Sequence, residues 1–158
     1  MPSMTAIRQN VSTRVTVKDP VAKGDLLDPA RTHDNLVLAL DEMTAPAPDG
    51  LGHKLFLSAV YSDHCDDSNL GPHGHHPGHN PGWAIDVATV DGIDVGDNHQ
   101  TRQLIRDLLA CEKVTKVGTL PAVANRADLQ AVANATSKAL FEDAGTGPHV
   151  HFQSSEAV

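Results

Sequence analysis

The sequence predicts an α+β domain, a small antiparallel sheet with helices packed mainly on one side. Three observations carry that expectation. The 158-residue length suits one domain with a real core and leaves little room for a second. Residues 83–90 and 149–153 alternate apolar with polar or small side chains, the period of a half-buried strand. Elsewhere apolar residues recur at helical spacing, as in Leu36, Val37 and Leu40, or Leu104, Ile105, Leu108 and Leu109. No repeat or linker interrupts the order of strands and helices, so residues 1–158 read as a single domain. About 1–50 form an N-terminal arm and helix, and about 51–155 the core.

In chain order, Val11, Thr13, Val15 and Val17 give one face of an N-terminal strand, with an irregular arm as the alternative. Asp28-Pro29 reads as an N-cap followed by proline at the first helical position, opening a helix to about residue 43. The helix stops before the loop Ala45-Pro46-Ala47-Pro48-Asp49-Gly50. Residues 54–61 are apolar on both faces, as in a buried central strand. Residues 62–81 hold five histidines among glycines and prolines and form a loop. The strand over 83–90 closes at an Asp91-Gly92 turn. Asp97 or Asn98 caps a helix to about residue 113, and 114–118 form a short strand. Asn125 caps a further helix that buries Leu129, Val132, Ala133 and Leu140. A turn over 144–148 leads into the last strand, 149–153.

Composition narrows the function classes. Aromatics are only 3%, so Leu, Val, Ile and Ala must fill the interior. A formal charge of −8 argues against a nucleic-acid partner, which needs a clustered basic surface. No stretch approaches the roughly 18–20 apolar residues of a membrane span, so no membrane insertion is expected. The polar first fifteen residues lack a secretory-signal core. The expectation is a chain made in the cytoplasm, a mature fragment, or one released by another route such as phage lysis. Cys65 and Cys111 do not make a disulfide framework; pairing and two free thiols both stay open.

The chemistry concentrates in two places. In the strand over 83–90, Trp83, Ile85 and Val87 share the core face, and Asp86 lies on the other between Ala84 and Ala88. His79 precedes it at the loop's end, where Pro81-Gly82 can turn its imidazole back over that face. In the last strand Val150 and Phe152 face inward, and His149, His151 and Gln153 face the other side. Residues at i and i+2 of a strand lie about 7 Å apart, whereas zinc ligands all lie about 2.0–2.2 Å from the ion. One of the two histidines can thus bind a metal while the other stands beside it. If the strands pair, His79, Asp86 and His151 converge on one zinc ion and leave its fourth position open, the pattern of a catalytic site.

His79-x-x-Gly82-x-Ala84-x-Asp86, with His149-x-His151 far downstream, resembles the signature of the zinc D-alanyl-D-alanine carboxypeptidases and related peptidoglycan endopeptidases. That family shares its fold with the Hedgehog signalling domain, and the match runs from about 54 to 153. The resemblance implies His79, Asp86 and His151 as ligands of one Zn²⁺, and His149 as the catalytic histidine beside it. It implies a zinc metallopeptidase whose partner is peptidoglycan peptide, as in a phage lysin. The branch that uses Glu-x-x-His is excluded, because Pro148 and Thr146 stand three residues before His151 and His149. A His-Glu-x-x-His helix is absent too.

Two positions depart from the family. Pro77 stands where a serine is common, and Ser58-Ala59-Val60-Tyr61-Ser62 lacks the arginine that usually binds substrate there. Without that cation, an endopeptidase is favoured over a D-Ala carboxypeptidase. The alternative function is a non-catalytic zinc-stabilised binding or structural module, for example of a phage particle. A cupin-like metal oxygenase is a third, disfavoured class. His73, His75 and His76 are read as exposed loop residues, and Trp83 as core.

Overall fold

Ser3 opens the first helix, where its hydroxyl accepts the Ala6 N–H at 3.1 Å. The computed structural model describes residues 2–60, 84–143 and 147–154. Among them the order is α1 (Met4–Arg14), β1 (Thr16–Val17), α2 (Pro20–Leu27), α3 (Asp34–Thr44), β2 (Leu55–Ala59), β3 (Ala84–Val90) and β4 (Ile93–Asp94). Then follow α4 (His99–Ala110), β5 (Lys116–Thr119), α5 (Pro121–Ala124), α6 (Ala127–Ala135), β6 (Ala139–Glu142) and β7 (Val150–Gln153). The class is α+β, as the sequence predicts.

The N-terminus differs from expectation. Residues 11–17 are not a strand but the end of α1, followed by a two-residue β1. The alternation at Val11, Thr13, Val15 and Val17 competes with a helical spacing, Ile7–Val11–Val15, whose members are all buried. The helical period wins because it buries apolar area against α3. Arg8 then ties α1 to the segment between α2 and α3. Its guanidinium donates to the Leu26 and Thr32 carbonyls at 3.0 and 2.7 Å and to Asp34 at 2.6 Å.

The cap-and-proline signal occurs twice, and the structure uses the other copy. Asp19, before Pro20, accepts the Ala22 N–H and starts α2. Asp28 is instead the residue at which α2 ends, and α3 starts after His33, whose ring accepts the Asn35 N–H. The loop after α3 folds back to satisfy the helix's last carbonyls. Leu51, His53 and Gly52 N–H groups donate to Glu42, Met43 and Ala45. A Cβ at Gly50 would sit 2.7 Å from two of those carbonyl oxygens, so glycine is required there.

The sheet is larger than expected and mixed. Its order is β1-β2-β3-β7-β5-β6, with β4 paired on β3. The β1–β2 and β5–β6 pairs are parallel and the others antiparallel. Both parallel pairs are joined through helices, α2 and α3 in one case and α5 and α6 in the other. Such crossovers are what parallel pairing demands. Leu140 accordingly belongs to β6, not to the preceding helix: α6 ends at Ala135, and Ser137 takes a positive φ of 58°. Asn125 is the C-cap of α5 and does not cap α6, which begins after Arg126. The α4 cap is Asn98, and this helix ends at Ala110, three residues early.

One hydrophobic core joins the sheet to the helices. The inner row Ile85, Phe152 and Val117 packs with Leu36, Leu40, Met43, Leu104 and Leu108, all fully buried. Each such side chain contributes on the order of 1.5–3 kcal/mol of burial. Asp91 and Gly92, with φ of 52° and 79°, form the two-residue turn that joins β3 to β4. Cys111 is a buried free thiol, raised by burial to a pKa of about 11; Cys65 lies outside the described residues.

Candidate metal and catalytic site

Strand register builds the site. On the face opposite the core row, one rung runs Asp86 on β3, His151 on β7, Gly118 on β5 and Phe141 on β6. The pleat sends these side chains to one side, and the valines and isoleucine that flank them to the other. His151 is fully buried, with Nδ1 2.9 Å from Asp86 Oδ1 and Nε2 3.0 Å from Gln153 Oε1. Phe141 meets its imidazole edge-on, ring centroids 5.7 Å apart. That approach needs Gly118: a Cβ there would lie 2.6 Å from Phe141 Cε2 and Cζ.

His149 stands where β7 begins. Its Nδ1 donates to the Gly147 carbonyl at 2.7 Å, since a carbonyl oxygen can only accept. Its Nε2 lies 3.2 Å from Asp143 Oδ2 and 3.9 Å from Asp86 Oδ2. The Asp143 carboxylate raises the His149 pKa to about 9; burial opposes the shift, and Asp86 adds to it. Asp143 Oδ2 also lies 3.6 Å from His151 Nδ1. Two carboxylates thus converge on two imidazoles, and their negative charge favours the protonated His149 ring.

Asp143 is absent from the sequence-based expectations. The signal was present, because Phe141-x-Asp143 places it two residues beyond a side chain of the site face. Reading Leu140 into a helix hides that alternation. Its position is firmly tied: the Asp143 N–H donates to the Thr119 carbonyl at 2.7 Å, and the Thr119 hydroxyl donates to the His149 carbonyl at 3.0 Å.

Of the expected zinc ligands, Asp86 and His151 are brought together, and His149 stands beside them. His79 lies outside the described residues, as do Trp83, the loop histidines and Tyr61-Ser62. Among the described residues, no group of three or more His, Cys, Asp or Glu side chains is arranged to hold a metal ion. The pair itself fits the requirement. Ligand atoms about 2.0–2.2 Å from a tetrahedral ion lie roughly 3.3–3.6 Å from each other. The 2.9 Å Asp86–His151 separation reaches that span with a small side-chain rotation. Nitrogen and carboxylate oxygen are also the donor types zinc takes. No helix among the described residues is long and apolar enough to cross a membrane. No family model matches the chain, and no curated protein or solved structure matches it.

Proposed function

We propose that this chain is a zinc-dependent peptidase that cleaves peptide bonds of bacterial peptidoglycan, with Asp86, His151 and His79 as the zinc ligands and His149 as the catalytic histidine. The observation that carries the reading is the Asp86–His151 rung with His149 Nε2 held 3.9 Å from the same aspartate. When bound, the ion would polarise the scissile carbonyl and acidify the attacking water. His149 is oriented at both nitrogens, by Gly147 and by Asp143. Its protonated Nε2 suits donation to a developing oxyanion or to the leaving amine. Asp143 holds that proton on the ring between turnovers.

The missing arginine also bears on the substrate. A terminal D-Ala carboxylate brought to this site would find no arginine at residues 58–62 to offset its desolvation. An internal peptide bond carries no such charge, which supports an endopeptidase. The test is release of new amines from purified peptidoglycan, with and without a zinc chelator. Chelator-sensitive release supports the peptidase. No release with zinc fully bound would leave the zinc-stabilised, non-catalytic module as the better reading.

A further inference from the structure

All six arginines of the chain pair with aspartates, and none of them lies on a strand. Among the described residues the sheet carries one lysine, Lys116, which opens β5. Strand register puts it on the site face. Lys116 is directly opposite Gln153 of β7 and Ala139 of β6, and the Gln153 side chain reaches His151 at 3.0 Å. Directly opposed residues point to the same side of a sheet. His151 is therefore the diagonal neighbour of Lys116, about 7–8 Å away along the backbone. Lys116 and Ala139 are both exposed, so this end of the face is open. Among the described residues nothing forms a hydrogen bond or ion pair with the Lys116 ammonium. Its flexible four-carbon stem can swing the charge over β7.

We propose that Lys116 is a specificity-determining residue, whose ammonium binds the free carboxylate of an acidic residue in the peptide, on the side of the cleaved bond that faces β5. The proposal rests on the peptidase reading given above. An internal peptide bond leaves chain on both sides of the reacting centre, and the two sides of this site differ. Beyond Asp86 lies β2, where Ala59 is opposite the aspartate and residues 58–62 supply no cation. Beyond His151 lies β5, with Lys116. Because the lysine is exposed, a carboxylate can pair with it and stay partly hydrated. An exposed pair of this kind discriminates by a few-fold, not by orders of magnitude.

The probes are two synthetic stem peptides with amidated C-termini. They are alike except that one carries its acidic residue as the free acid and the other as the amide. Calorimetry on metal-free protein gives their affinities, and kinetics on zinc-loaded protein give KM and kcat. The unmodified protein should favour the free acid about 2–5-fold, and less so at about 1 M salt. Lys116→Met should weaken the free acid alone and so remove the preference, and Lys116→Glu should reverse it. In the zinc-loaded protein the change should fall on KM more than on kcat. Equal affinity for the two peptides in the unmodified protein overturns the proposal, whether or not the variants fold. A preference that survives in folded Lys116→Met overturns it as well. Wall cleavage without any acid preference keeps the peptidase reading and removes Lys116 from it. If neither peptide binds and no wall is cut with zinc bound, the peptidase reading and the role of Lys116 fall together.

Discussion

Asp86 and His151 are directly opposed across β3 and β7, and their side chains meet at 2.9 Å between Oδ1 and Nδ1. The two residues lie 65 positions apart in sequence. Strand pairing fixes their separation, because directly opposed Cβ atoms stand only about 4.5–5.5 Å apart. The sheet therefore holds these two side chains together whatever the course of the chain between them.

The first prediction follows from that pairing. Protein purified without chelator should carry about one zinc per chain, the stoichiometry of a single three-residue site. Asp86→Ala and His151→Ala should each lose most of it, read by elemental analysis on variants whose circular dichroism is unchanged. Full zinc in His151→Ala would remove His151 from the ligand set.

His149 and Asp143 should separate from the ligands. His149→Ala should keep zinc and lower hydrolysis roughly 100-fold to 10,000-fold, the usual range for a proton-transferring group. Asp143→Asn keeps the shape but not the charge, so it should show a smaller loss and a lowered His149 pKa by NMR. If His149→Ala instead loses the metal, the two histidines of the pair have exchanged roles.

The metal-free protein should lose stability as pH rises from about 6.5 to about 9. His149 holds its proton up to about 9 in the folded state, against an ordinary value of 6.5. Below 6.5 both folded and unfolded states are protonated, and the ion pairs with Asp143 and Asp86 contribute fully. Above it the unfolded state releases the proton first, so the contribution fades and is gone once the folded ring titrates. Urea titrations across this window should show the decline, and His149→Gln should flatten it. An unmodified protein with no such slope would mean that the Asp143 contact does not hold the proton.

The strands of the site were legible because each carries its own period. Ile85 and Val87 against Asp86, and Val150 and Phe152 against His151, assign faces without any knowledge of the partner strand. What was not legible depends on competition between periods or on distance. Val11 to Val17 alternates, yet Ile7, Val11 and Val15 also satisfy a helix, and only packing against α3 decides. Asp19-Pro20 and Asp28-Pro29 carry the same local signal, and only the tertiary setting, in which Arg8 binds the Leu26 and Thr32 carbonyls on either side of Asp28, tells them apart. The parallel β5–β6 pair hid both Leu140 and Asp143, because nothing local to residues 136–143 states that the chain has turned from helix to strand.

Gly118 gives a prediction about the site's wall. Gly118→Ala places a Cβ 2.6 Å from the Phe141 ring and 3.1 Å from Asp143 Cβ. The ring must swing off His151, at an overpacking cost of about 1–3 kcal/mol. Thermal unfolding should register the loss. Phe141→Ala in the same chain should recover part of it, a coupling that a double-mutant cycle measures. Equal losses with and without the Phe141 ring would show that the clash is not what Gly118 avoids.

The last prediction concerns which bond is cut. A free stem ends in a carboxylate, and burying that charge needs a cation or several donors to offset its desolvation. Residues 58–62 carry neither Arg nor Lys. An internal amide brings no charge to bury and is the better substrate. Mass spectrometry of digested walls should show new amino and carboxyl termini within stems or bridges, not loss of single terminal alanines. Introducing an arginine opposite Asp86, by Ala59→Arg, should shift the product pattern toward terminal D-Ala release, provided the variant keeps its zinc. Clean removal of terminal D-Ala by the unmodified protein would refute the preference, and would mean that a set of backbone N–H groups binds the carboxylate instead.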